Sequence, residues 1–368
     1  MTASLLTQGT FFFPGPTEVR AEVLAAMTRP LIAHRGKAFE SMFAGIQASL
    51  KPIFRTTRPV YVSSSSATGL MEAAVRCAPE GRVLSIVNGA FSARFSAIVK
   101  ACGRESDVLE VPYGEIATLD MVADALKKQR YAAVTVVHSE TSTGALQDVR
   151  GITRLAREAG AVCLVDSVTG IGGAQLEFDE WELDLALTGS QKALALPPGL
   201  AFAAATPAFI ESARSTARRG LYFDLVEFDA YGAKNQTPNT PAINLFYAAE
   251  VQLAAVAAEG MEARWARHWR MAEMTWTWVD GLRAKHGDAF GVLAREGSRT
   301  PTVTSITIPP TFTASTLVKA VAERGFTIGN GYGKNRETTF RIGHMGDHDP
   351  KRLALCLEVC GGVIGGLL

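Results

Sequence analysis

The chain has 368 residues, of which 47% are hydrophobic and 20% are charged, and its formal net charge is +1. This length is enough for a large core and a smaller lobe. Because lysine and arginine are scattered and nearly balanced by acids, the composition gives no sign of a nucleic-acid or membrane partner.

The cysteines and the start of the chain bear on the cellular compartment. Cys356 and Cys360 are spaced to share a helix face, but two thiols alone make a poor zinc site, so we expect no metal. Apolar neighbours predict buried free thiols, which suit a reducing compartment. Residues 1–13 contain neither a charged segment nor a long apolar stretch, so we expect no signal peptide, no transmembrane span and a cytoplasmic location. The five cysteines are Cys77, Cys102, Cys163, Cys356 and Cys360.

The first two thirds of the chain alternate between two patterns. Residues 1–17 predict an N-terminal arm that a Pro-Gly-Pro segment ends, and helices are predicted over about 18–27 and 37–54. Short apolar runs then alternate with helical patterns, which predicts a mainly parallel sheet with helices on both faces. Functional residues of such sheets collect at the carboxyl ends of the strands. The predicted strands are 60–62, 83–87, 133–137, 162–165 and 185–187.

The pattern changes after about residue 240. Long amphipathic segments run to about residue 286, followed by a strand over 303–308, a helix over about 314–324, a strand over 339–342 and a helix from about residue 350. This order predicts a smaller α+β lobe. We therefore expect a large domain at 18–258 and a small C-terminal domain at 259–368.

Two predicted strands are followed by groups that suit chemistry on an amine. Asp166 follows one apolar run, and Lys192 follows the next. Pyridoxal phosphate (PLP) chemistry needs such a pair, because the lysine forms a Schiff base with the aldehyde and the acid keeps the pyridine nitrogen protonated. Taken alone, Lys192 also fits an ordinary surface lysine and Asp166 a helix N-cap. Their occurrence together favours the cofactor.

Two further strand ends suit the same kind of ligand. Residues 63–69, four serines followed by Ala-Thr-Gly, precede a predicted helix over 70–77, and a helix N-terminus with small residues suits one phosphate group. The segment matches neither a Walker loop nor GxGxxG, so nucleotide binding is not indicated. Phe91, after Asn88-Gly89-Ala90, would stack on a planar ring or pack in the core.

Polar residues elsewhere extend the predicted site. Residues 138–144, His-Ser-Glu-Thr-Ser-Thr-Gly, follow an apolar strand and suggest the edge of a site, with His138 itself expected to be structural. Arg341 is the one cation in an otherwise apolar strand. A buried arginine needs an anion, which is either a substrate carboxylate or an internal salt-bridge partner.

In the order and spacing of these motifs, the chain resembles the class V, fold-type I PLP-dependent aminotransferases, in the branch of alanine/serine–glyoxylate and 2-aminoethylphosphonate–pyruvate aminotransferases. The resemblance covers nearly the whole chain. It rests on residues 14–16, 66–68, 88–91, 138–144, 165–168, 189–192 and 340–343. It implies an α/β fold in which a mainly parallel seven-stranded sheet with helices on both faces is joined to the smaller α+β domain.

The resemblance also implies roles for individual residues, and a homodimer with shared active sites. Lys192 and Asp166 would be catalytic, with the lysine bound to PLP. The segment 236–241 would complete the partner's phosphate site, while the roles of Gln236 and Arg35 stay open. The implied cofactor-binding residues are Ser66, Ala67, Thr68, Phe91, Ser142, Asp166, Val168, Gln191, Lys192, Asn239 and Thr240, and the implied substrate-binding residues are Gly15, Ser142 and Arg341.

We therefore expect a PLP-dependent aminotransferase that moves an amino group from a small amino acid, of alanine or serine type, to a 2-oxo acid such as glyoxylate or pyruvate. One alternative is a 2-aminoethylphosphonate–pyruvate aminotransferase, for which Arg35 is a candidate phosphonate ligand. A PLP lyase such as a cysteine desulfurase is disfavoured, because no cysteine lies between Cys163 and Cys356. A non-catalytic interaction protein is disfavoured because Lys192 and Arg341 are both present.

Overall fold

A seven-stranded sheet forms the centre of the larger part of the protein, in a computed structural model that describes residues 9–368. Residues 1–8 of the predicted arm lie outside the described residues. The strands are β1 (Val60–Ser63), β2 (Val83–Val87), β3 (Ser106–Glu110), β4 (Ala133–Val137), β5 (Ser139–Glu140), β6 (Ala145–Leu146), β7 (Val162–Asp166), β8 (Leu185–Gly189), β9 (Ala201–Ala205), β10 (Gly291–Val292), β11 (Val303–Thr307), β12 (Gly329–Asn330) and β13 (Thr339–Gly343).

Helices separate most of these strands along the chain. They are α1 (Ala21–Ala26), α2 (Lys37–Phe54), α3 (Ala67–Cys77), α4 (Ala90–Ala101), α5 (Leu119–Lys127), α6 (Val149–Glu158), α7 (Pro207–Arg214), α8 (Leu225–Gly232), α9 (Ile243–Glu259), α10 (Met261–His286), α11 (Ala314–Ala322) and α12 (Pro350–Leu367).

The large sheet has the strand order β1-β9-β8-β7-β4-β2-β3. The pairs from β8 to β3 are parallel, whereas β9 runs antiparallel to both of its neighbours. The predicted α/β fold with a mainly parallel seven-stranded sheet is therefore confirmed. Because β7 and β8 are parallel neighbours, their carboxyl ends lie at the same edge of the sheet.

Both faces of the large sheet are covered. Alternate side chains of β1 point to opposite faces: Val60 and Val62 join one apolar cluster, and Tyr61 joins another. The first cluster includes buried side chains of α2, α5, α6 and α9, and the second those of α3, α4, α7 and α8. The two helical layers exclude water from both sides, which explains the continuous apolar runs of the central strands.

The apolar patterns of the sequence do not predict β3 and β9. Strand β3 lies at the sheet edge, is partly exposed and carries acidic residues, so it has no continuous apolar run. Strand β9 contains four alanines around Phe202, and alanine is depleted in strands. It is extended because it pairs on both sides, with Phe202 opposite Val62 of β1 and Thr188 of β8.

A four-stranded antiparallel sheet, in the order β10-β11-β13-β12, forms the predicted smaller C-terminal unit. Its apolar cluster includes Ile306 and Ile342 from the sheet and buried side chains of α10, α11 and α12. The sheet therefore has a core of its own, separate from the two clusters of the large sheet.

The segment 9–17 connects the two sheets. Phe12 is fully buried in the cluster of the small sheet, and its carbonyl accepts a hydrogen bond from Gly343 N at 2.8 Å. A Cβ atom at Gly343 would lie 2.7 Å from Phe13 O, so this close approach requires glycine. Further along the segment, Thr17 N donates to Gln191 O at 2.9 Å. The segment thereby reaches from the small sheet to the residue that precedes Lys192.

Two helices begin at residues other than the predicted ones. Helix α1 begins at Ala21 rather than at about residue 18, because the backbone of Arg20 is extended. Glu18 therefore precedes the helix, and its carboxylate accepts hydrogen bonds from Gly9 N at 2.6 Å and Phe11 N at 3.2 Å. Helix α3 begins at Ala67 rather than at residue 70, which places Thr68 in its first turn.

The remaining expectations concern cysteines and membranes. The five cysteines form no disulfide; four are buried, as predicted, and Cys102 is half-buried. Among residues 9–368, no helix combines the length and the apolar character needed to cross a bilayer.

Candidate active site

A cavity of about 240 Å³ opens at the carboxyl ends of β4, β7 and β8, next to the N-terminus of α3. It brings together residues that lie more than 120 positions apart in the chain. The predicted site residues that line it are Ser66, Ala67, Thr68, Phe91, Asp166, Val168, Gln191 and Lys192.

Lys192 lies in the turn after β8, with its side chain in the cavity and 6% of the residue exposed. Its Nζ donates a hydrogen bond to the carbonyl of Pro14. Burial lowers the pKa of the amine to about 7, and the Arg341 guanidinium adds to this effect. A fraction of the amine is therefore neutral near pH 7, and the neutral amine is the form that attacks a carbonyl.

Asp166 is the last residue of β7 and is 2% exposed. Burial raises the pKa of its carboxyl group to about 7. Among residues 9–368, this carboxylate accepts a hydrogen bond only from Val168 N, at 2.8 Å. No α-helix occurs between β7 and β8, so the alternative that Asp166 is a helix N-cap is wrong. A buried carboxylate with one neutral donor is suited to a cationic group in the cavity.

The N-terminus of α3 forms one wall of the cavity. Ser66 is the N-cap residue, and its side chain makes no capping hydrogen bond. The first N–H groups of a helix have no acceptor within the helix, and the positive end of the helix dipole lies there. Ala67 and Thr68 therefore present free backbone donors to the cavity, an arrangement that suits an anion such as phosphate.

Phe91 faces both the cavity and an aromatic residue from the smaller sheet unit. The Lys192 Nζ lies 5.7 Å from the centroid of the Phe91 ring. Tyr332 stacks on Phe91 with the centroids 5.2 Å apart and the rings inclined by 26°. The motifs of the sequence do not point to Tyr332, because it lies in an irregular loop between β12 and β13.

Glu140 is a fully buried carboxylate that holds this part of the site together. It accepts hydrogen bonds from Phe91 N at 3.1 Å, Ser92 N at 2.9 Å and Ser142 Oγ at 2.6 Å, and also from Ser92 Oγ and Ser142 N. Two of the donors are N–H groups of the first turn of α4, so Glu140 replaces a local N-cap. The sequence places Glu140 in the polar motif 138–144, but only the fold shows that it fixes the position of Phe91.

Arg341 projects from β13 and is 6% exposed. Its guanidinium donates to Asn330 O at 2.8 Å and Thr141 O at 3.1 Å. Burial lowers the pKa of Arg341 to about 10. Within residues 9–368 no carboxylate pairs with this group, so the internal salt bridge considered as an alternative is wrong. Its positive charge is thus available to an anionic ligand.

Other predicted residues lie close to the cavity without lining it. Gly15 approaches Lys192 so closely that a Cβ atom at Gly15 would lie 2.5 Å from Nζ. The hydroxyl of Ser142 is bonded to Glu140, and it also accepts from Ala90 N at 3.0 Å. His138 is buried behind the site, where its Nδ1 lies 2.9 Å from Ser167 Oγ, and burial lowers its pKa to about 4. A neutral, hydrogen-bonded His138 agrees with the expected structural role.

The segment around Asn239 lies outside this cavity. Asn239 and Thr240 are exposed and border a small surface recess with Tyr222. Arg35 holds the neighbouring backbone by donating to Thr237 O at 2.7 Å and to Pro238 O at 3.1 Å, and to the side chain of Gln236 at 3.1 Å. Arg35 and Gln236 therefore stabilise this loop within their own chain.

The raised pKa of Asp166 predicts that this group lowers the free energy of unfolding of the cofactor-free protein in a pH-dependent way. Its folded pKa is about 7 against an ordinary 3.8, so between about pH 4 and pH 7 the folded chain keeps a proton that the unfolded chain loses. Stability contributed by this group therefore falls as pH rises through that window. We expect Asp166→Asn to increase the free energy of unfolding by about 2–4 kcal/mol at pH 7 and to change it little at pH 4.

Urea unfolding of the cofactor-free variant and parent at both pH values measures this difference. The substitution Asp280→Asn, at an exposed position of α10, is the control and should have little effect at either pH. A stability gain from Asp166→Asn that is the same at pH 4 and pH 7 would contradict the assignment.

The hydrogen bonds to Glu140 predict that Glu140→Gln destabilises the site although it preserves the shape of the side chain. An amide nitrogen cannot accept, so at least one buried donor loses its partner, at a cost of about 1–3 kcal/mol. Thermal unfolding measures the loss, and near-UV circular dichroism follows the environment of the aromatic rings. The exposed Glu158→Gln should leave both measurements unchanged, and unchanged measurements for Glu140→Gln would show that this network is dispensable.

Comparisons with known proteins agree with the geometry. The model of the class-V aminotransferase family matches residues 13–334. An uncharacterized aminotransferase of Methanocaldococcus jannaschii is 37% identical, over 90% of this chain and 86% of that protein. L-aspartate–glyoxylate aminotransferase of Paracoccus denitrificans is 32% identical, over 93% of this chain and 87% of that enzyme. The crystal structure of alanine–glyoxylate aminotransferase from a Nostoc species has a TM-score of 0.89 at 28% identity, covering 99% of this chain and 98% of that one.

The cavity fits the PLP cofactor of that family on its own structural features. A buried amine of lowered pKa, a buried carboxylate that lacks a cation and the free donors of α3 lie around one space. These groups match an aldehyde, a protonated ring nitrogen and a phosphate respectively. This chain belongs to the class V aminotransferases, which are PLP-dependent transaminases.

Proposed function

We propose that the protein is a homodimeric aminotransferase of the cytoplasm that moves the amino group of a small amino acid to a 2-oxo acid such as glyoxylate or pyruvate. Transfer of an amino group to a keto acid follows from the family. The observation that carries the proposal is the buried, partly neutral amine of Lys192 beside the buried carboxyl of Asp166. Glyoxylate as acceptor is supported by the names of two similar enzymes, which act on L-aspartate or alanine and glyoxylate.

In this proposal each wall of the cavity holds one part of the cofactor. Ser66, Ala67, Thr68 and Gln191 bind the phosphate group at the N-terminus of α3. Phe91 covers one face of the ring and Val168 the other. When bound, the cofactor supplies an aldehyde for the amine and a ring that withdraws electrons from the reacting carbon.

The protein's own contribution is to place and move protons. The Lys192 amine would take the proton from the α-carbon of the amino donor as general base and would give a proton back as general acid. The Asp166 carboxylate holds a proton on the ring nitrogen by charge. Glu140 keeps Phe91 and Ser142 in place while these transfers occur.

Arg341 binds the α-carboxylate of both substrates in this scheme. Its guanidinium is buried and, in the described part of the chain, donates hydrogen bonds only to carbonyl oxygens, so a carboxylate would supply the missing anion. Gly15 stays a predicted substrate contact, and its lack of a side chain leaves room for the Lys192 side chain. Ser142 stays a predicted substrate contact, one residue from Thr141, whose carbonyl also meets Arg341.

The homodimer is proposed because part of the predicted cofactor site lies elsewhere on the surface. Asn239 and Thr240 do not line the cavity of their own chain. Tyr222 borders the same recess and is 47% exposed, and the adjacent Leu221 is 85% exposed. Exposed apolar side chains of this kind are typical of contact surfaces, and a second copy that covers them would bring Thr240 to its partner's phosphate site.

The alternative functions receive less support. Arg35, the candidate phosphonate ligand, is bonded to its own 236–238 loop. For a cysteine desulfurase, the nearest cysteines in the smaller unit are Cys356 and Cys360, which are buried in α12 and not on a loop. Aminotransfer is therefore retained as the proposed function.

Replacement of the proposed catalytic amine tests the function directly. Lys192→Ala should abolish transamination and covalent attachment of the cofactor, because no other amine lines the cavity in the described chain. Borohydride reduction and peptide mapping locate the attached lysine, and a panel of amino donors and 2-oxo acids measures transfer. A pyridoxyl group on another lysine would reject the assignment. Lys285→Ala, outside the cavity at the end of α10, is the control.

Hybrid dimers test the shared site. In a mixture of Lys192→Ala and Thr240→Ala chains, a trans contribution from Thr240 leaves each hybrid with one doubly substituted site and one intact site. Activity should therefore rise above that of either variant alone, toward half of the unsubstituted value in each hybrid. Subunit exchange is verified by mass spectrometry, and no recovery after verified exchange would contradict the contribution of Thr240 across the interface.

A further inference from the structure

The active site contains two guanidinium groups that have no carboxylate partner within residues 9–368. One is Arg341, whose hydrogen bonds go to carbonyl oxygens. The other is Arg94, on the first turns of α4, which lines the cavity and has a hydrogen bond only to the hydroxyl of Tyr332, at 3.3 Å. Most other arginines near the surface of this protein pair with acids, as Arg82 does with Glu105.

Both cations meet at one aromatic ring. The Arg94 guanidinium bonds to the Tyr332 hydroxyl, and the Arg341 guanidinium lies 5.4 Å from the centroid of the same ring. Arg94 also stacks on Phe91 at 4.8 Å from its centroid. The two positive charges are therefore held a short distance apart around Tyr332, and both act to lower the pKa of the nearby Lys192 amine.

Like charges held together at a partly buried site repel unless anions lie between or beside them. One carboxylate on the substrate compensates one guanidinium, and the natural position for the α-carboxylate is the buried Arg341. This leaves Arg94, at the exposed edge of the cavity, to meet an anion at the other end of the substrate. The Phe91 ring and the Tyr332 hydroxyl both contact its guanidinium.

We propose that Arg94 forms a second anion subsite, which selects amino donors with a carboxylate on the side chain, such as aspartate, over donors with an uncharged side chain. The proposal rests on the proposed function, because it assigns the donor class of the same site. In the bound state, Arg341 holds the α-carboxylate and Arg94 holds the distal carboxylate. Tyr332 acts as the positioning residue that keeps Arg94 in reach.

Binding of two unreactive ligands to the holoenzyme tests the subsite without turnover. Succinate and butyrate have the same number of carbons, but succinate has two carboxylates. By calorimetry we expect succinate to bind at least about 10-fold more tightly than butyrate. Arg94→Ala should remove this preference and leave butyrate binding unchanged, whereas Arg94→Lys should restore part of it because it keeps the charge without the planar fork.

Two controls separate the subsite from general damage. Arg283→Ala, at an exposed position near the end of α10, should leave both affinities unchanged. Tyr332→Phe keeps the ring on Phe91 but removes the hydroxyl that Arg94 contacts, and should weaken succinate binding alone by a smaller factor. The affinity for PLP, measured by fluorescence titration, should be the same for Arg94→Ala and the parent.

Three results of these binding experiments would contradict an anion subsite at Arg94. Equal binding of succinate and butyrate by the parent, equal loss of both ligands in Arg94→Ala, or a weakened PLP affinity in that variant would each overturn the proposal. The last result would assign Arg94 to the cofactor phosphate.

Donor kinetics then separate this proposal from the proposed function. We expect Arg94→Ala to reduce kcat/KM for L-aspartate about 10- to 100-fold more than it reduces kcat/KM for L-alanine. Efficient transfer from alanine without any effect of Arg94 on aspartate would reject the subsite and keep the aminotransferase. Arg94-dependent succinate binding without transfer from any donor would reject the function and keep the subsite.

Discussion

The parallel pairing of β7 with β8 is the constraint on which the site depends. It places Asp166 and the turn of Lys192 at one edge of a sheet that is covered on both faces. Burial there moves the pKa of the acid up and that of the amine down, both to about 7. Near pH 7 each group is therefore only about half ionised, so part of the amine is in the nucleophilic form and the buried acid is suited to a cationic partner.

The small sheet completes the site from the opposite side, so its position relative to the large sheet sets the chemistry. Arg341 of β13 and Tyr332 of the loop before it contact residues that line the cavity, Thr141 and Phe91 respectively. The 9–17 segment passes between Gly343 and Lys192. The buried Arg264 of α10 adds a further link, because it donates to Ala193 O at 2.7 Å and pairs with Asp347 at 2.9 Å. Removing one partner of such a buried pair is costly, so this link helps to hold α10 against the turn that carries Lys192.

Much of the fold and part of the site could be predicted from local patterns. Asp166 and Lys192 follow apolar runs, and residues 63–69 precede a helix, so their position at strand ends is visible in the sequence. Glu140, Tyr332 and Arg94 could not be assigned in this way. Each makes contacts with segments remote in the chain, 48 residues apart for Glu140–Ser92 and 238 residues apart for Arg94–Tyr332. Local patterns do not predict strand β9 for a related reason: its pairing with β1 and β8 overrides the low strand propensity of its alanines.

The sequence by itself determined the alternation of buried strands and helices, the chemical identity of the reactive groups and the resemblance to the class V aminotransferases, because periodicity and motif spacing are local properties of the chain. Only the tertiary structure decided which groups share the cavity, that Arg341 has no internal salt bridge, that Ser142 is bonded to Glu140, and that a second cation stands beside Tyr332. These properties depend on the distances between side chains from remote segments and on the removal of those side chains from water. Neither is fixed until the two sheets and the N-terminal segment pack together.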